Sequence, residues 1–516
     1  MNATGARRRD PYRSLAGHVR VTRPLRFPMR HGVSFLLLFA AVMASAAEAR
    51  PNILFAIADD WGWPHAGAYG CEWVKTPAFD RVAREGVLFK NAFTNNPKCS
   101  PSRASMLTGR NTWQLEEAMV HFGLMPKKWP VYPDLLESAG YHVGLTGKGW
   151  GPGDFKTTGW TRNPAGPSYD QRKLAPPTSG IGRNDYAGNF AAFLAARKPG
   201  QPFCFWYGGT EPHRDYEEGS GTRAGGNPAS VKLPPYFPDN ATIRSDFLDY
   251  ALEVEWFDSH LGKMLAALEA AGELENTIVI VTSDHGMPFP RVKGQIYEDG
   301  FHIPLAVRWG AKVPRGRVVE DFVNVRDFAP TWLELCGVAV PESMTGRRFA
   351  AALLSAKSGW FDASRNRMVV GKERHDLGRP GDVGYPVRAI RTPEWLYVRN
   401  FEPERWPAGN PETGYRNVDD GPTKAFLLSR FDRFYKLSFG KRTAEELYRV
   451  ASDSDCMDNL AGKTEHAGLM ATLRAEMEES LRKDGDPRMS GESAKFDAFP
   501  YVGPKTHSYD AWLKNQ

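Results

Sequence analysis

Short, unbroken apolar runs that stop on acidic residues constrain this chain more than any other feature. Residues 51–58 read Pro-Asn-Ile-Leu-Phe-Ala-Ile-Ala and stop at Asp59-Asp60. Residues 277–282 read Thr-Ile-Val-Ile-Val-Thr and stop at Ser283-Asp284-His285-Gly286. A strand buried on both faces loses the polar alternation of a half-exposed one, so such runs suit the interior of a parallel sheet. Residues 203–207, Phe-Cys-Phe-Trp-Tyr, form a third. Helix-like stretches lie between them at 77–85, 132–139 and 247–271. Strands alternating with helices predict an α/β domain with a mostly parallel sheet. In such sheets ligands bind beyond the carboxyl ends of the strands, and two of these three ends carry aspartates.

The rest of the chain divides around that pattern. Residues 151–184 and 214–240 are rich in Gly, Pro and polar residues and read as long surface loops. After about residue 360 short strands are expected at 368–371, 387–391 and 395–399, then a helix at 467–482. The expected organisation is a leader at 1–49, a catalytic domain at 50–360 and a smaller α+β domain at 361–516 with an antiparallel sheet.

Charge belongs to the leader. Residues 1–49 hold eight arginines against Asp10 and Glu48, which accounts for the whole formal charge of +6; residues 50–516 hold 58 basic and 58 acidic side chains. A neutral body gives no support for nucleic-acid binding. Within the leader, Arg30 and His31 precede the apolar run 33–43, and Ala44-Ser-Ala-Ala-Glu-Ala49 offers small-residue cleavage sites. That is the layout of a signal peptide starting near Met29, and the run is too short to span a bilayer. The chain is therefore expected to be exported, periplasmic or secreted, without stable membrane insertion. Its cysteines are Cys71, Cys99, Cys204, Cys336 and Cys456. Five is an odd number for an exported protein, and none forms a Cys-x-x-Cys pair of the kind that holds structural zinc.

Cys99 opens the segment Cys99-Ser-Pro101-Ser-Arg103-Ala-Ser-Met-Leu-Thr108-Gly109-Arg110. Pro101 suits the first turn of a helix and Gly109 its end, which puts Cys99 just before the helix N-terminus. Backbone N–H groups and the dipole favour an anion there, and Arg103 lies one turn on along the same face. Arginine can grip an oxyanion through two parallel hydrogen bonds. By this reading alone, Cys99 could equally be a disulfide thiol ahead of an ordinary surface helix.

Cys99-x-Pro-x-Arg103 followed by Thr108-Gly-Arg110 resembles the signature of the formylglycine-dependent sulfatases, a branch of the alkaline phosphatase-like superfamily. Further parts of the family pattern recur in order: Asp59-Asp60, Gly140-Tyr-His-Val-Gly-Leu-Thr-Gly147-Lys148, Glu211-Pro-His213-Arg214, Asp284-His285-Gly286, and Glu446-Leu-Tyr448 through Asn459-Leu-Ala461. The likeness runs from about residue 50 to 465. It implies the alkaline phosphatase-like sulfatase fold and a hydrolase cleaving sulfate from a sugar. It also implies that Cys99 is oxidised to formylglycine by a formylglycine-generating enzyme. In the family the aldehyde is hydrated; one hydroxyl attacks sulfur and the other later expels sulfate, a release that a serine could not perform. One divalent metal is implied, held by Asp59, Asp60, Asp284, His285 and residue 99. Carboxylate oxygens suit Ca²⁺, the leading choice, or Mg²⁺. Lys148 and Lys293 become sulfate-binding cations, with Arg291 the alternative to Lys293, and His213 the acid that protonates the leaving atom.

One departure stands out. Where many sulfatases have Lys-x-His, this chain reads Lys148-Gly149-Trp150, so the usual base that releases sulfate is missing; His142 is a possible substitute. The segments 284–290, 371–375 and 385–388 look most like sulfamidase and heparan N-sulfatase relatives, which implies N-sulfoglucosamine at a chain end. His375 and Arg388 are then the expected substrate contacts. The alternatives are another sulfated polysaccharide, or a phosphodiester or phosphonate substrate within the same superfamily.

Overall fold

The computed structural model describes residues 20–22, 50–310, 312–504, 506 and 508–515. The expected leader at 1–49 therefore lies almost wholly outside the described residues. Strands β1 (Asn52–Ala58), β2 (Val87–Phe93), β3 (His142–Gly147), β4 (Phe203–Gly208), β5 (Thr277–Ser283), β6 (His302–Arg308), β7 (Arg317–Val319) and β8 (Val323–Asn324) form one sheet. Its order is β3-β4-β1-β5-β6-β2-β7, with β8 beside β2. The apolar runs become its centre: β1 pairs in parallel with β4 and β5, and β3 with β4. Only β6 runs the other way, against both β5 and β2.

Alternation along β1 explains why it carries no polar face. Leu54, Ala56 and Ala58 pack with Phe79, Val82, Phe257 and Leu261 from the helices Pro77–Arg84 and Ala241–Ala270. Ile53, Phe55 and Ile57 pack the opposite way, with Ala104, Leu107, Leu136 and Trp332 from the helices Cys99–Thr108, Tyr132–Ser138 and Phe328–Leu335. Both layers are apolar, so every side chain of β1 is buried, and each large one contributes about 1.5–3 kcal/mol. The long helix begins at Ala241 rather than at 247, because the Asn240 side chain accepts the Thr242 N–H and caps it there.

A second, antiparallel sheet follows in the order β12-β11-β10-β9, built from β9 (Met368–Lys372), β10 (Val387–Arg391), β11 (Leu396–Asn400) and β12 (Glu445–Tyr448). Val370, Val387 and Ala389 face Phe93, Phe301 and Phe322. Val369 and Ile390 face Met470, Leu473 and Met477 of the helix Ala467–Lys483. Both sheets belong to one compact unit, Arg50–Gln516. Among the described residues no helix is long and apolar enough to cross a membrane.

Candidate active site

Strand register assembles the acidic end of the sheet. Ala58 is paired with Ser283, so Asp59 and Asp284 leave neighbouring parallel strands at the same level, and the Asp284 N–H donates to the Ala58 carbonyl at 3.3 Å. Gly147 is paired with Gly208, which brings Lys148 to the same edge. Asp60 turns the chain in the left-handed region, φ 74°, and its N–H donates to Asp284 Oδ1 at 3.1 Å.

The helix Cys99–Thr108 points its N-terminus at this edge, and all of its residues are buried. Cys99 is its first helical residue rather than the one before it. Gly109, φ 64°, ends the helix by donating to the Ser105 carbonyl. Arg103, fully buried, donates from Nε to Asp284 Oδ2 at 2.8 Å and from Nη1 to the Lys148 carbonyl at 2.8 Å. Its Nη2 lies 3.4 Å from Asp59 Oδ1.

Three further side chains close the ring. Lys148 Nζ donates to Asp59 Oδ2 at 2.5 Å, and Lys293 Nζ to Asp60 Oδ2 at 2.7 Å. His213 Nδ1 donates to the Arg214 carbonyl, which turns Nε2 toward Asp60 Oδ2, 4.0 Å away. The side chains of Lys148 and His213 are 18% and 34% exposed, against 0–2% for Asp59, Asp60, Arg103 and Lys293, so these two mark the entrance. Burial works against charge at Asp59, Arg103, Lys148 and Lys293, and opposite charges more than offset it at each. Asp59 is held well below the usual carboxylate range by Lys148 and Arg103, and Lys293 well above its own by Asp419 and Asp60. Burial and the nearby Asp59 push the Cys99 thiol up and leave Asp284 raised, despite Arg103 beside it.

The donor set, two carboxylates with an imidazole and residue 99, suits one divalent cation. Ligand atoms of Asp59, Asp60, Cys99 and His285 all lie within 4.8 Å of one another. His285 Nδ1 faces the Gly286 carbonyl at 3.0 Å, so it carries the proton, and Nε2 turns its lone pair to Asp60 Oδ1 at 3.1 Å. Burial lowers the His285 pKa, which keeps the ring neutral. Two lone pairs then face each other, and both Asp59 Oδ1 and Asp60 Oδ1 are buried without a hydrogen bond. His285 Nε2 also faces Cys99 Sγ at 3.4 Å, and a cation among these atoms satisfies both carboxylate oxygens at once. Asp284 adjoins this group, 3.7 Å from His285 Nε2, with its oxygens taken by Arg103 and the Asp60 N–H.

Not every expected residue reaches this centre. Arg388 is fully buried within the second sheet, where Nε and Nη2 grip Asp486 at 2.6 and 3.1 Å and Nη2 also meets Glu373 at 2.9 Å. Its Nη1 serves the Lys372 and Val387 carbonyls. The expectation of a substrate contact is therefore corrected: no donor of Arg388 remains for a ligand. His375 is 4% exposed and meets Asn96 Oδ1 through Nε2 at 2.6 Å, while its Nδ1 is buried without a hydrogen bond. His142 begins β3, roughly 16 Å along the strand from its site end, and stacks on Phe193. That removes it as the releasing base. Trp150 is buried within an apolar cluster.

Two residues were missed. Lys98, directly before Cys99, is 2.9 Å from Asp376 and buried. Asp419 accepts from Lys293 Nζ at 2.6 Å. Asp419-Asp420 ahead of Gly421-Pro422 repeats the kind of acidic pair seen at Asp59-Asp60, but before a helix it reads as a cap.

Comparison with known proteins agrees with this arrangement. The sulfatase family model matches residues 51–338. An ulvan-active sulfatase of Formosa agariphila is 27% identical over 450 residues, covering 86% of this chain and 82% of that protein. The human N-sulphoglucosamine sulphohydrolase is 29% identical over 487 residues, covering 85% and 92%. A protein solved in complex with its substrate D-glucosamine-2-N,6-O-disulfate shares the fold, with a TM-score of 0.61 at 20% identity, covering 85% of this chain and 98% of that one. On the family match and the geometry together, the chain belongs to the sulfatase family of sulfuric ester hydrolases.

Proposed function

We propose that the protein removes sulfate from a sulfated glycan, with N-sulfoglucosamine at a chain end as the leading substrate and residue 99 acting as formylglycine. The observation that carries this reading is the ring itself: a residue at a helix N-terminus, ringed by Arg103, Lys148 and Lys293, with unpaired carboxylate oxygens beside it. A sulfuryl group entering past Lys148 and His213 meets cations on three sides, which offset the charge that grows on its oxygens. His213 stands at the open side, where the sugar must lie, and Nε2 is the atom placed to pass a proton to the departing oxygen or nitrogen. A divalent metal, Ca²⁺ before Mg²⁺, would be held by Asp59, Asp60, His285 and residue 99 and would supply Lewis-acid stabilisation there. Arg103 orients Asp284 and the 148–149 carbonyls so that these groups hold still during turnover.

Residue 99 as formylglycine requires a formylglycine-generating enzyme, and the leader at 1–49 supports export to the periplasm or outside. A second substrate reading, another sulfated polysaccharide such as ulvan, is favoured by the Formosa relatives at comparable identity. Two measurements test the proposal together. A mass spectrum of the peptide spanning residue 99 reports the aldehyde. Sulfate release from N-sulfoglucosamine, heparan oligosaccharides and ulvan oligosaccharides ranks the substrates. An unmodified thiol in fully active protein, or release from none of the sugars, overturns it.

A further inference from the structure

Lys293 is buried and shared between two carboxylates, Asp60 Oδ2 at 2.7 Å and Asp419 Oδ2 at 2.6 Å. An ammonium has three donors, so this leaves one for a sulfuryl oxygen. Asp60 belongs to the cation-binding group, and its oxygens have other work. Asp419 makes one hydrogen bond among the described residues, to Lys293, and one of its oxygens lies within 4.8 Å of ligand atoms of Asp60 and His213.

The turn that carries Asp419 is fixed with unusual care. Lys424, 4% exposed, donates to the Val418 carbonyl at 2.8 Å, the Tyr415 carbonyl at 3.3 Å and Asp420 Oδ1 at 2.8 Å, which pins both sides of residue 419. The segment beyond is anchored to the core through Asp246. That carboxylate takes the Thr423 hydroxyl at 2.6 Å and the Thr423 N–H at 3.1 Å, and is gripped by both terminal nitrogens of Arg214 at 2.8 Å. Arg214 is the immediate neighbour of His213. One buried link therefore ties the strap 415–424 to the loop that carries the expected proton donor. The strap lies outside the segment that the family model matches, 51–338.

We propose that Asp419 is the positioning residue of the sulfate-binding lysine: it holds Lys293 Nζ aimed into the site, so the strap 415–424 completes the site from outside the family-matched segment. The inference rests on the sulfatase reading, in which Lys293 grips sulfate. It makes a prediction of opposite sign to plain electrostatics. Asp419 is an anion beside an anion-binding site, so if it were only a neighbouring charge, its neutralisation would tighten sulfate binding. If it positions Lys293, neutralisation loosens it.

The test uses matured full-length enzyme and inorganic sulfate as the probe, with binding measured by calorimetry and thermal unfolding followed in parallel. Asp419→Asn, nearly isosteric, is expected to weaken sulfate binding about three- to tenfold with little change in Tm. In a Lys293→Ala background the same substitution is expected to bring no weakening, because the group it acts through is gone. Tighter or unchanged binding for Asp419→Asn in the parent overturns the proposal, as does equal weakening in both backgrounds. Should Asp419→Asn fail to fold, Asp419→Glu, which keeps the charge but displaces it, carries the same comparison. The sulfatase reading fails separately: parent enzyme that binds sulfate no better than Lys293→Ala removes Lys293 from sulfate recognition and takes the proposal with it.

Discussion

Arg103 and Arg388 are both fully buried, both touch two carboxylates, and differ in what is left over. Around Arg388 nothing is. Asp486 and Glu373 take its donors, Glu373 is held again by Arg488 through two bonds of 2.6 Å, and Asp486 also accepts the Arg488 N–H. Around Arg103 the accounts stay open: its own Nη2, Asp59 Oδ1 and Asp60 Oδ1 are buried without hydrogen bonds. Each such atom costs about 1–3 kcal/mol unless something fills it. A closed network rigidifies a fold, whereas an open one at strand ends waits for a ligand.

The sharpest break between the two regions is expected at the nucleophile. Cys99→Ala should lower kcat by more than about 10⁴-fold while leaving the unfolding midpoint unchanged. Residual turnover near that of the parent would separate the open network from catalysis altogether. At the closed network the effect should fall on stability instead. Arg388→Ala strands two buried carboxylates and should cost about 3–5 kcal/mol in urea unfolding, with near-normal turnover per folded molecule. A loss of kcat in that folded fraction would restore Arg388 to the substrate. Next comes Asp59→Asn, expected to lower metal content and kcat together by about a hundredfold or more. Metal analysis showing a full complement in an inactive variant would make Asp59 a catalytic group and not a ligand. The smallest effect belongs to His375→Ala. One hydrogen bond to Asn96 is lost, so about 1 kcal/mol of stability and less than about fivefold in kcat/KM should go, equally for a sugar sulfate and an aryl sulfate. A drop confined to the sugar would place His375 in the substrate wall.

Adjacency in the chain decided what could be read beforehand. β1, β4 and β5 are legible because burial on both faces leaves one signal, an apolar run. β6 is not, because His302-Ile-Pro-Leu-Ala-Val-Arg308 puts a proline in a central strand. The structure tolerates it: β2 pairs Phe89 with Leu305 and Ala92 with Ile303, so the irregularity on β2 lies opposite Pro304, where no N–H is needed. In the site, Asp59, Asp60, Cys99, Arg103 and Asp284 sit in compact motifs at element ends, and the fold delivers those ends to one edge. Asp419 arrives from a distant strap, and its partner Lys293 gives no hint of it in sequence. Arg388 shows the limit most clearly. On β10, Val387 and Ala389 face one cluster and Ile390 the other, and the strand's pleat alone sends Arg388 inward to Asp486.

The left-handed turn at Asp60 sets stability and activity against each other at a single residue. An L side chain there costs on the order of 1 kcal/mol relative to glycine. Populations of this gene selected for heat resistance alone should accumulate Asp60→Gly or Asp60→Asn, while those selected for turnover should retain aspartate. Sequencing the two pools would show whether position 60 is where this enzyme gives up robustness for chemistry.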